Sequence, residues 1–147
     1  MLKPFLSALL ISLTISSASS AASEAGRFTV VVHASRPSAL TRQQVADIFL
    51  KRATRWSDGT PVTAFDLSVG DPTRKEFSKT VLGRSPESVV YLWQQELTTR
   101  NVKPRLVKSA SDGHSFVGST EGGIGYVSEG TELPAGVKAV TVVESAR

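Results

Sequence analysis

The 147-residue chain has no cysteine. That excludes disulfides, a catalytic thiol, thiolate metal sites and the acylated cysteine of a bacterial lipoprotein. Histidine is nearly absent too: His33 and His114 are the only two, with no H-x-x-x-H spacing. A zinc site wants three or four ligands at recognisable intervals, so no metal is expected. Long apolar runs are missing as well. A membrane-spanning helix needs about 20 apolar residues, and the best run, Phe5 to Ile15, is shorter. The basic residues form no dense stripe of the kind nucleic-acid binders carry. Two glycine patterns also fall short. In G-H-S-F-V-G at 113–118, Val117 occupies the position where a nucleophile elbow needs glycine, which makes Ser115 an ordinary serine. Gly123-Ile124-Gly125 lacks the third glycine of a dinucleotide loop, since residue 128 is serine, and it opens a strand instead of following one. A close backbone approach explains those glycines better. With so little acid–base machinery in view, the expectation is a non-enzyme without cofactor.

The N-terminus has a definite character. Lys3 precedes the apolar run, and Ser16 to Ser23 is almost entirely Ser and Ala. This is the layout of a cleavable signal peptide. The expected cut falls after Ala22, with Ser20 at the −3 position, so residues 1–22 form the signal and 23–147 the exported domain. A 125-residue product is one domain by size and buries about two-thirds of its unfolded surface. It should be soluble in the periplasm or secreted. Net charge is +4, or +3 without Lys3, and the excess sits centrally. From Arg42 to Lys108 there are twelve Lys/Arg against seven Asp/Glu. Such a centre either attracts anions or is a solvated surface of mixed sign.

Local patterns place the elements. Phe28–His33 is a β-branched run that reads as a buried strand. Thr41 and Gln44 make a capping box, with Leu40 and Val45 as hydrophobic staple, and Val45, Ile48 and Phe49 share a helix face. A turn at S-D-G follows Trp56. Val62–Leu67 reads as a second strand. Asp71-Pro72 starts a helix that Gly83 ends, and Ser85-Pro86-Glu87 repeats the same device. Val89, Trp93 and Leu97 form a core stripe, with a stop at Asn101. Short strands are expected at Arg105–Lys108 and Ile124–Val127, a poor helix at Ser111–Ser119 weakened by Gly113 and Gly118, and a final strand at Val137–Val143. Strands alternating with helices predict a small α/β fold.

The segment S-V-G-D-P-T-R at 68–74 joins a strand end to a helix start, where open α/β sheets bind ligands. Ser68 and Thr73 hydroxyls, N–H groups from Gly70 onward and the Arg74 guanidinium could receive a small anion. The plainer reading is capping: Asp71 takes the helix N-terminus for itself and opposes an anion there.

Taken in order, L-T-R-Q-Q-V-A-D-I-F-L-K at 40–51, R-W-S-D-G at 55–59, R-K-E-F at 74–77, V-V-Y-L-W at 89–93 and G-G-I-G-Y-V at 122–127 resemble the substrate-binding proteins of phosphate ABC transporters. The resemblance spans roughly residues 28–143. It implies a single lobe of a type II periplasmic-binding-protein-like fold, with a central mixed sheet flanked by helices. It also implies a phosphate-like anion as ligand and a transporter as partner. The family's phosphate loop, R-S-D-G-S-G-T, laid on 67–73, matches at Ser68, Gly70 and Thr73. Leu67 stands where the family has arginine, and Val69 where it has aspartate. Charge-assisted hydrogen bonds are the strong ones, so their loss favours an alternative: a lobe that docks onto another envelope protein. Self-association through the open face is a variant of that reading.

Overall fold

The computed structural model describes residues 27–100 and 106–144. Residues 1–22, expected to be a signal peptide, and Asn101, the expected helix stop, lie outside these residues. Six strands form one sheet: β1 (Phe28–His33), β2 (Ala39–Thr41), β3 (Thr63–Asp66), β4 (Leu106–Val107), β5 (Gly123–Ser128) and β6 (Val137–Val143), in the spatial order β2-β6-β1-β5-β3-β4. β1 runs antiparallel to both neighbours, β5 and β6, whereas β2–β6, β3–β5 and β3–β4 are parallel. β1 is therefore the one reversed strand, and the start of β1 lies beside the end of β5, Phe28 opposite Ser128.

Four α-helices lie among the described residues: α1 (Arg42–Phe49), α2 (Pro72–Phe77), α3 (Pro86–Arg100) and α4 (Ala110–Ser119). The capping box at α1 is made in full. Thr41 Oγ1 accepts from the Gln44 N–H at 3.0 Å, and Gln44 Oε1 accepts from the Thr41 N–H at 2.8 Å. α2 continues into a wider π-helical turn, Ser78–Leu82, which Gly83 ends at φ 62°. Ser85 then caps α3, accepting from the Ser88 N–H at 3.2 Å.

Val30, Val31 and Val32 are all buried. Successive strand residues point to opposite faces, so both faces of the sheet are covered. On one face α4 lies over β5 and β1, and the Phe65 ring packs between Gly113 and Gly125. On the other, Phe49 of α1, Phe77 of α2 and Tyr126 of β5 form an aromatic cluster, with Phe77 and Tyr126 stacked at 3.9 Å. Trp93 of α3 donates its indole N–H to the Phe49 carbonyl at 2.6 Å.

The structure adds two features to the predicted order. β2 forms where Leu40 was expected only as a staple, because Leu40 pairs with Val142 of β6. The helix expected to be poor at 111–119 is complete and starts at Ala110, since Ser109 caps it and its Gly113 provides the gap that Phe65 fills. Among the described residues no helix is long and apolar enough to cross a membrane.

Candidate functional site

The strand ends of β3 and β5, the start of β1 and the N-terminus of α2 meet at one edge of the sheet. The chain leaves β3 at Asp66, passes through Leu67, Ser68, Val69 and Gly70, and enters α2 at Asp71. Ser68 and Gly70 are exposed, and Leu67 is buried. The loop closes through the Asp71 N–H donating to the Ser68 carbonyl at 2.9 Å. Asp71 Oδ1 then accepts from the Thr73 N–H at 2.7 Å and the Arg74 N–H at 3.4 Å. A carboxylate thus sits where a bound anion would use the same N–H groups and the same positive end of the helix.

The four residues proposed to contact an anion divide into two sets. Ser68 and Gly70 stay on the exposed loop. Thr73 is buried, and its hydroxyl is 3.0 Å from the Ser128 hydroxyl, tying α2 to β5. Arg74 turns the other way, into the core, with 0% of its surface exposed. Its Nη1 donates to Asp66 Oδ2, and the Tyr126 hydroxyl donates to Asp66 Oδ1. The Leu67 N–H also donates to Asp66 Oδ1, at 2.9 Å. Asp66 itself is 1% exposed, so a buried carboxylate is compensated by a guanidinium, a phenol and a backbone amide, as burial of a charge requires. Burial first, and the Asp66 charge second, push the Tyr126 hydroxyl far above its ordinary value, so it remains a protonated donor. Arg74 Nε and Nη2 have no partner among the described residues. Asp66, Tyr126 and Ser128 were not singled out in the sequence as site residues, and the signal available was an aspartate inside the predicted strand Val62–Leu67.

A second polar knot lies at the other end of the sheet. The Arg36 guanidinium, almost wholly buried, bonds Asp58 at 3.0 Å and Glu121 at 3.5 Å and lies 5.6 Å from the Trp56 ring centre. The Thr60 N–H first, and Arg36 after it, hold the Asp58 carboxyl below the ordinary carboxylate range. The Trp56 indole donates to the Gly122 carbonyl at 3.0 Å. This knot fastens the 50–61 loop to the turn before β5. Beside it runs a groove of about 190 Å3, floored by Leu40, Ile48 and Trp56. His33 bonds Ser35 at 2.7 Å, while His114 and Ser115 line a shallow depression with Glu132.

A family model described as a PBP superfamily domain matches residues 25–146. The chain belongs to that family. No curated protein matches significantly. Among solved structures, a protein described as a phosphate ABC transporter substrate-binding protein with bound phosphate, from Clostridium perfringens, superposes with a TM-score of 0.62 at 22% identity, over 79% of this chain and 44% of that one. An ABC-type phosphate transport receptor from Vibrio cholerae gives 0.58 at 22%, over 78% and 45%. PstS from Borrelia burgdorferi gives 0.62 at 11%, over 82% and 49%. This PBP-family chain spans less than half the length of each. Its fold is a single lobe of the type II periplasmic-binding-protein-like kind, with a central mixed sheet flanked by helices. The first two of these solved structures are described as phosphate-binding or phosphate-transport proteins.

Proposed function

We propose that the chain is an exported PBP-like lobe that acts in the bacterial envelope by docking onto another protein, a transporter component being one candidate, instead of carrying phosphate. One observation carries this reading: the Asp71 carboxylate occupies the helix N-terminus at which a tetrahedral anion would sit. The surrounding residues agree with it. Leu67 is packed into the core in place of an arginine, and the cation nearest in sequence, Arg74, is committed to Asp66. Residues 1–22 supply the export signal in this reading, with the mature chain beginning at Ser23. Intact mass of the protein recovered from the periplasm checks that boundary.

The test is thermal unfolding of the purified protein in phosphate, sulfate and chloride at matched ionic strength. A ligand at about 100 times its Kd adds about 2.7 kcal/mol to stability, a shift of several degrees for a domain of this size. The expected result is no oxyanion-specific shift. Asp71→Asn keeps a capping side chain without the charge, and a phosphate shift should emerge in that variant. A phosphate-specific shift in the unaltered protein would sink the docking reading. It would favour residual solute binding, for which one observation speaks: the Ser68 hydroxyl and the Gly70 backbone face solvent at this edge.

A further inference from the structure

Six of the eight described arginines are ion-paired with carboxylates: Arg27, Arg36, Arg42, Arg52, Arg74 and Arg100. Against that pattern, Lys75, Lys79 and Arg84 line one open concavity of about 380 Å3, together with Gly83, Ser85 and Pro86. None of the three cations meets a carboxylate among the described residues. Lys75 and Lys79 are four residues apart on one continuous helical stretch, α2 and its π-turn. Like charges at that spacing repel and cost a few tenths of a kcal/mol, as opposite ones stabilise. Gly83, in the left-handed conformation, turns the chain so that the start of α3, capped by Ser85, borders the same hollow. The positive end of the α3 dipole adds to the potential of the three side chains. Glu87 belongs to the first turn of α3 but does not line the concavity.

We infer that this concavity is the docking surface for an extended acidic segment of a protein partner. The inference rests on the docking reading above and names the surface it uses. Three features select the occupant. The hollow is larger than one oxyanion fills and falls in the range of a site for several groups. It is lined from two successive elements, the α2 stretch with its π-turn and the start of α3, so an occupant that meets all three cations has to run along the hollow. Side chains four apart on a helix stand about 5–6 Å from each other, and alternate residues of an extended strand recur about every 6.6–6.8 Å. Carboxylates at i and i+2 of an extended segment are spaced on the scale that separates Lys75 from Lys79, and Arg84 borders the same hollow. The lining of the hollow does not include the 68–74 loop, which ends one residue before Lys75.

The test is fluorescence anisotropy with a labelled peptide of alternating glutamate and serine, using the purified protein at low ionic strength. The expected result is binding that weakens steeply with added salt, as exposed charge pairs do, and falls at least about tenfold in Lys75→Ala/Lys79→Ala/Arg84→Ala. The control, Arg42→Ala/Arg52→Ala, removes two cations elsewhere and should bind as the parent does. Circular dichroism checks that both variants are folded. Equal binding by parent and triple variant, equal loss in the control, or no binding at low salt each overturns the inference. So does displacement of the peptide by phosphate beyond a matched chloride control, which would make the hollow an oxyanion site. Anionic phosphatidylglycerol vesicles provide the remaining arm: triple-variant-sensitive binding to vesicles without binding to the peptide assigns the surface to lipid. A phosphate-specific melting shift alongside intact peptide binding would remove the docking reading of the 68–74 edge and leave the acidic-segment surface standing.

Discussion

Arg74 and Asp66 are eight residues apart in sequence, yet both are nearly inaccessible and bonded to each other. Removing one partner of such a pair leaves a buried charge without compensation, which costs about 3–5 kcal/mol. Arg74→Met should therefore be strongly destabilising, while Arg74→Met/Asp66→Asn should recover part of the loss, measured as urea midpoints. If the single and double variants were equally unstable, the pair would contribute nothing specific. Tyr126 makes a separate prediction. Its folded-state pKa is raised, so the unfolded chain loses this proton first as pH rises past about 10, the ordinary phenol value. The contribution is fully present below that pH and is lost above it, as deprotonation favours the unfolded chain. In a Tyr91→Phe background, phenolate absorbance should appear together with loss of tertiary circular dichroism, not before it. Tyr126→Phe should remove this part of the alkaline destabilisation. The sequence showed none of this cluster, because hydrogen bonds across 8 and 60 residues leave no periodic trace. It did show the Asp71 cap and the Thr41–Gln44 box, since those bonds close within three residues.

At the scale of elements, legibility followed the same division. β6 was read at its observed bounds because five of its seven residues are Val or Thr, types of high β-propensity. β2 was not, since three residues become a strand only through Val142 and its neighbours, a hundred positions away. The π-turn after α2 was missed because a helix pattern does not distinguish one wide turn. Gly113 was read as a helix weakness, and propensity alone would make Gly113→Ala stabilising by about 1 kcal/mol. The fold reverses the sign. A Cβ at Gly113 would lie 2.3 Å from the Phe65 ring, and one at Gly125 only 1.8 Å away. Both alanine variants should lower the urea midpoint, with overpacking costs of about 1–3 kcal/mol. In a Phe65→Leu background Gly113→Ala should become neutral or stabilising, because the clash goes and the propensity gain stays. Persistence of the full penalty there would show that something other than the ring forbids the methyl group.

The whole molecule carries its charge unevenly, and this bears on how it meets others. Among the described residues the large hydrophobics left exposed are Tyr91, at 63%, and Val143, at 42%. They belong to α3 and to the end of β6, and two scattered side chains do not make the contiguous apolar patch that marks a permanent interface. Obligate dimers bury large, core-like apolar surfaces. The described surface shows no such patch, so in the docking reading proposed above a partner is gripped by charge. A charge-held contact forms quickly and is screened by salt, because the Debye length shortens from about 30 Å at 0.01 M to about 8 Å at 0.15 M. Sedimentation velocity at those two ionic strengths should accordingly find a monomer in both, the net positive charge adding repulsion between copies at the lower one. A dimer that strengthens with salt would instead reveal an apolar face between copies. A dimer that dissolves in salt would mean that the chain's own carboxylates, of which Glu129 and Glu132 are exposed after the end of β5, can occupy the hollow formed by Lys75, Lys79 and Arg84. The acidic partner would then be a second copy.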